Sequence, residues 1–166
     1  PKLPYYDTGL PFGKNISVEP GLDKSSVVLA IDYGKMLGKV LASFTNCLVI
    51  GESVPGGTTT ALAVMKGLGI DARVSSSMPK NPQSLKTEIV EKALMRSDSK
   101  EPYDVISNVG DPMIPFVAGM LSTASEITNV ILAGGTQMAA VLALAKSTGY
   151  DKDRVAIGTT SYIIND

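Results

Sequence analysis

The densest chemistry in the sequence lies in one stretch, Gly51-Glu52-Ser53-Val54-Pro55-Gly56-Gly57-Thr58-Thr59-Thr60. It follows an apolar run at residues 46–51 and precedes a helical pattern. Glycines let a backbone come close to a ligand. The unpaired N–H groups and the dipole at a helix start favour an anion such as phosphate. Each dipole–charge contact contributes about 0.3–1 kcal/mol, and threonine hydroxyls add donors. The stretch lacks the lysine of a P-loop and the G-x-G-x-x-G spacing of a dinucleotide fingerprint. Two readings remain open, a phosphate cradle and a plain structural turn.

Composition narrows the chemistry further. The chain has 166 residues, no histidine and one cysteine, Cys47. Histidine general bases, Ser-His-Asp and Cys-His pairs, Cys-rich zinc sites and an intrachain disulfide are thereby excluded. Carboxylates, lysines, hydroxyls and backbone groups must do the work. Fifteen Lys and Arg against sixteen Asp and Glu give a net charge of −1. That balance argues against nucleic acid or a polybasic membrane surface as partner. The longest uncharged run, 127–145, is interrupted by Asn129 and by Gly134-Gly135-Thr136-Gln137, so strand, loop and helix are expected there rather than a membrane span.

The elements that must position the loop follow from punctuation. Residues 1–22 are rich in Pro and Gly and read as an extended arm that packs through Leu3, Tyr5, Tyr6, Leu10, Phe12 and Ile16. Residues 23–166 read as an α/β nucleotide-binding core. A helix is expected from a cap at Asp23 or Ser25 to residue 44. Its charges, Asp32, Lys35 and Lys39, form one narrow stripe, so burial on most sides is expected. Gly34 and Gly38 would admit a neighbouring backbone, either within the subunit or across a dimer. Strands are expected at 46–51, there as a buried strand, and at 73–75, 104–108, 129–133 and 154–158, and helices at 58–67, 82–95, 112–125 and 136–147. Cys47 is expected in the core. Asn81-Pro82 and Asp111-Pro112 are cap-plus-proline starts. Short strands alternating with longer helices imply a mainly parallel, Rossmann-like sheet in a three-layer α/β/α fold. Ligands gather at the carboxyl ends of such strands. The Gly-rich turns expected there are 51–57, Gly110-Asp111 and Gly134-Gly135-Thr136.

The loop resembles the acidic, Gly- and Thr-rich loop of transferases that use phosphoribosyl pyrophosphate, with Glu52 as its single acid. A fuller resemblance lies elsewhere. Gly51-Glu52-x-x-x-Gly56-x-Thr58-Thr59 is similar to the G-E-x-x-x-G-x-T-T segment of nicotinate-nucleotide–dimethylbenzimidazole phosphoribosyltransferases. GESVPGGTTTALAV followed by VSSSMPKNPQSLK resembles the archaeal and cyanobacterial branch. Leu85-Lys86 with Val90, Ala93 and Leu94 resembles the family's lysine helix, and residues 111–140 its strand–Gly–helix core. The likeness spans roughly residues 46–162.

The resemblance implies transfer of phosphoribose from nicotinate mononucleotide to a benzimidazole-type base, giving α-ribazole phosphate for the cobalamin lower ligand. It implies that Gly56, Gly57, Thr58, Thr59 and Lys86 hold the nucleotide phosphate, with Gly134, Gly135 and Thr136 beside them. Ser75, Ser76, Ser77 and Asp111 are candidate pocket residues; for Asp111 a helix cap is the competing role. The resemblance implies no metal and no cofactor. A cytoplasmic homodimer is expected. Displacing nicotinate builds positive charge on the ribose, which a carboxylate stabilises. A carboxylate can also accept the proton lost by the azole. Glu52 is placed to do one of these jobs. The family's general base, a glutamate near its C-terminus, has no counterpart in residues 1–166, and the chain reads as the central part of a longer one. A nucleotide-phosphate binding or sensing protein without transferase activity remains the alternative.

Overall fold

The computed structural model describes residues 3–74 and 82–164, the latter without the side chains of residues 162 and 164. Residues 3–22 carry neither helix nor strand. Of the apolar residues expected to dock this arm, Ile16 is buried, whereas Leu3, Tyr5 and Phe12 are exposed. Leu22 supplies the other buried anchor. The arm is tied down where the backbone N–H groups of Gly21 and Leu22 donate to the Asn108 and Ser107 carbonyls at 3.1 and 2.9 Å.

Helix α1 covers Lys24–Ala42. Strand β1, Cys47–Gly51, leads into α2, Gly57–Gly67, which ends before Gly69 in the left-handed region at φ 81°. Helices α3 (Gln83–Leu94), α4 (Pro102–Val109) and α5 (Met113–Ile127) follow. Then come β2 (Asn129–Ala133), α6 (Thr136–Thr148), a 3-10 turn at Lys152–Arg154, β3 (Val155–Gly158) and α7 (Ser161–Ile164). The strands pair in parallel in the order β1-β2-β3. The α/β class and the parallel sheet are as expected.

Strand order dictates which face the helices cover. Parallel crossovers are right-handed, so two successive ones in the order β1-β2-β3 place their helices on the same face. The burial pattern agrees. Ile50, Val130 and Leu132 are buried on that face. On the other face Cys47, Val49 and Ala156 are exposed and Ile131 is half-buried. This corrects two expectations. The strand at 46–51 is an edge strand open on one face, and Cys47 is an exposed thiol rather than a core residue. An apolar run reports strand propensity, not whether both faces are covered.

Two expected strands are not found among the described residues. Residues 104–108 are helical, inside α4. Pro102 occupies the first turn, where its missing N–H costs nothing, and Asp104 complements the dipole there. The run from Val105 to Val109 is buried as helix, with Ser107 Oγ donating to the Leu22 carbonyl at 2.7 Å. Arg73 and Val74 lie in irregular chain; Ser75 and the cap residue Asn81 fall outside the described residues. The turn at Gly110-Asp111 therefore follows a helix, not a strand.

Helix α1 packs against α5 through glycines on both partners. A methyl group on Gly34 would meet the backbone of Phe116 and Met120, one on Gly38 the backbone of Met120, and one on Gly119 the backbone of Ile31. Gly34 and Gly38 are thus used inside the chain. Burial on most sides of α1 does not hold: Val28, Leu29, Met36 and Val40 are exposed on its outer side. Gly34→Ala is expected to destabilise by about 1–3 kcal/mol, because backbone rather than a movable side chain blocks the methyl. Urea unfolding of the variant beside wild type checks this.

Candidate active site

The register Gly51↔Ala133 ends β1 and β2 level with each other, so the loops that follow lie side by side. In the first loop Gly56 has φ 73°, a conformation that disfavours any side chain. That turn aims the start of α2 back over the sheet's carboxyl edge. Thr58 and Thr59 in its first turn are half-buried. In the second loop the Gly134 N–H donates to the Gly158 carbonyl at 2.9 Å, which fixes the loop to the end of β3. Gly135 then turns the chain into α6, with Thr136 as its first residue. Two helix N-termini therefore open at the same edge of the sheet, and the positive ends of their dipoles favour an anion there. In α2 the Gly57 and Thr59 N–H groups already donate to the Val54 and Gly56 carbonyls at 3.1 and 2.9 Å.

Glu52 spans the two loops. Its Oε2 accepts from the Val54 N–H at 3.2 Å and from Gln137 Nε2, across the gap, at 2.5 Å. Gln137 is buried. Nothing in the sequence singled it out, because the contact joins residues 85 apart. A polar residue in the first helical turn after a Gly-Gly loop was the only local signal.

Asp111 ties two helices together. Its Oδ1 accepts from the backbone N–H groups of Met113 and Ile114 at 3.0 and 3.3 Å, capping α5. Thr60 Oγ1 donates to its Oδ2 at 2.5 Å, linking α5 to α2. Asp111 is only 5% exposed. Burial pushes its carboxyl above the ordinary Asp range, against the opposing pull of the hydrogen bonds from Thr60, Ile114 and Met113.

Lys86, in the first turn of α3, is 5% exposed rather than solvated. Helix α3 packs on α2, the helix that follows the Gly-rich loop. Ser75, Ser76 and Ser77 lie outside the described residues. A cleft of about 570 Å³ runs between α2, the segment at 71–74 and α3, and reaches Thr136. Lys66 and Arg73 put two cations on its wall beside the Asp71 carboxylate. Its size suits a nucleotide-sized ligand. Among the described residues no group of three His, Cys, Asp or Glu side chains is gathered to hold a metal ion. No helix among them is long and apolar enough to cross a membrane.

Comparison with known proteins places this arrangement. A family profile described as Phosphoribosyltransferase (DBI_PRT) matches residues 11–161. The chain belongs to this phosphoribosyltransferase family. Its relatives include UPF0284 proteins of Archaeoglobus fulgidus, 45% identical over the whole chain and 48% of that protein, and of Methanocaldococcus jannaschii, 43% identical over the whole chain and 49% of that protein. The chain spans about half the length of these relatives. Among solved structures, CobT from Thermus thermophilus superposes with a TM-score of 0.75 over 87% of this chain and 46% of its own, at 23% identity. A nicotinate-nucleotide–dimethylbenzimidazole phosphoribosyltransferase structure from the same organism gives 0.74, at 22% identity over 87% of this chain and 45% of its own. At that identity the likeness shows the fold. In this family member, then, the parallel sheet is the shared frame, and the site residues must be argued from their own geometry.

Proposed function

We propose that the full-length protein containing this chain transfers phosphoribose from nicotinate mononucleotide to a benzimidazole-type base, forming α-ribazole phosphate for the lower ligand of cobalamin. The observation that carries the reading is the convergence of the two Gly-rich loops at the sheet's carboxyl edge with Glu52 held between them. In this reading Gly56, Thr58 and Thr59 and the start of α6 at Gly134, Gly135 and Thr136 cradle the nucleotide phosphate, and Lys86 supplies the cation. Glu52 faces the ribose. The C1–nitrogen bond to nicotinate breaks with its electron pair leaving on nicotinate. The lone pair of an azole nitrogen forms the new bond, and the azole's N–H proton goes to a carboxylate. Glu52 stabilises the positive charge that develops between these events.

Titration of full-length protein with nicotinate mononucleotide tests this. Wild type is expected to bind below millimolar concentration. Lys86→Met, which keeps the buried aliphatic volume, should bind about tenfold more weakly, roughly 1.4 kcal/mol. Absence of wild-type binding at millimolar nucleotide would sink the reading. A second reading has its own support. Asp111 is committed to α5 and Thr60, which leaves Glu52 as the carboxylate at the loops among the described residues. One carboxylate cannot both balance the ribose charge and take the proton. The chain by itself would then bind the nucleotide phosphate without turning it over, and single-turnover assays of chain and full-length protein side by side separate the two readings. A cytoplasmic homodimer is the setting we infer for the enzyme, checked by light scattering of the full-length protein.

A further inference from the structure

Gln137 sits in the first turn of α6 and is 8% exposed. A carboxylate only accepts, so the hydrogen bond to Glu52 fixes the amide with Nε2 toward Glu52 and Oε1 toward Gly57. Oε1 is buried and has no hydrogen-bond partner among the described residues. An orphaned buried amide oxygen disfavours folding, so stability does not explain the choice of side chain. The amide lies where a side chain on Gly57 would be. A methyl there would overlap Oε1 and lie 2.5 Å from Cδ of Gln137. Backbone conformation does not require glycine at this position: positive φ is found at Gly56 but not at Gly57. The glycine makes room for the amide.

We propose that Gln137 is a positioning residue that holds the Glu52 carboxylate toward the nucleotide's ribose, and that Gly57 is glycine in order to admit it. The role given to Glu52 rests on the phosphoribosyl-transfer reading; the clamp rests on geometry alone. A glutamate at a half-buried loop has several rotamers open to it. Two donors, one in its own loop and one on α6, leave it one, and a displacement of about 1 Å at a reacting group costs about a hundredfold in rate.

The test uses full-length wild type, Gln137→Met, Glu52→Ala, the double variant, and Gly57→Ala alone and with Glu52→Ala. Methionine keeps the volume of Gln137 and removes its donor. Turnover of nicotinate mononucleotide with dimethylbenzimidazole is expected to fall about ten- to a hundredfold in kcat for Gln137→Met and for Gly57→Ala, with KM for the nucleotide within about twofold for Gln137→Met. In the Glu52→Ala background neither change should lower kcat further. Equal losses in both backgrounds overturn the proposal. Urea unfolding midpoints of the same proteins give a readout independent of turnover. Gln137→Met should lower the midpoint less when Glu52 is absent, and strict additivity overturns the clamp. Wild type without turnover would instead count against phosphoribosyl transfer, while the unfolding cycle still decides the clamp.

Discussion

Glu52→Gln in the full-length protein is expected to lower kcat/KM for phosphoribosyl transfer about 10²- to 10³-fold while leaving nucleotide affinity within about twofold. The amide keeps an acceptor oxygen for the Val54 N–H and for Gln137 Nε2, so the loop geometry survives and only the charge is lost. That isolates the electrostatic part of the mechanism. A positive ribose carbon forms only on the way to the transition state, so removing the facing charge acts on kcat rather than on binding. Steady-state turnover with nicotinate mononucleotide and dimethylbenzimidazole, together with direct titration of the nucleotide, reads both. A loss of less than about threefold in kcat/KM would assign charge stabilisation to another group.

How far such a site can be read from sequence depends on which contacts are local. Strand β2 at Asn129–Ala133 coincides with its expected bounds, and α6 begins at Thr136 as expected, because Gly-Gly-Thr punctuates that boundary within three residues. Asp111 as cap of α5 was equally legible, since the Asp-Pro pair acts on N–H groups two and three residues on. Residues 104–108 fit either period over five residues, and the deciding signal is Pro102 just upstream. The exposure of Cys47 belongs to topology: which face of β1 is covered depends on the strand order 1-2-3, which no local pattern encodes. Glu52 with Gln137, and Thr60 with Asp111, lie further still from local signals. They come together only once Gly51 is registered against Ala133 and α2 has docked beside α4 and α6. The residues that cradle were visible as types; the ones that aim Glu52 were not.

Asp111 yields the second large effect, and its sign follows from burial. The folded carboxyl is held above the ordinary Asp range, chiefly by desolvation. Between the unfolded and folded values the native state binds more protons than the unfolded one. The group's contribution to stability is then greatest below the unfolded value and is lost as pH rises through the folded value. Asp111→Asn stays neutral across that window. Its Oδ1 still accepts from Met113 and Ile114, and its amide nitrogen can donate to Thr60 Oγ1, whose own hydroxyl turns to the Gly57 carbonyl, 3.0 Å away. The stability difference, wild type minus Asp111→Asn, should therefore fall as pH rises through the window and level off above it. At pH 7 the Asn variant should be at least as stable as wild type. Asp111→Ala removes the cap and strands the Thr60 hydroxyl, and should lose about 1–3 kcal/mol. Urea unfolding of the three proteins from pH 4 to 8 measures this. A difference curve flat with pH would contradict the buried carboxyl. If Asp111 served the nucleotide instead, Asp111→Asn would weaken nicotinate mononucleotide binding at pH 7; a structural cap predicts unchanged affinity, because the residue faces α5 and Thr60 rather than the opening between the loops.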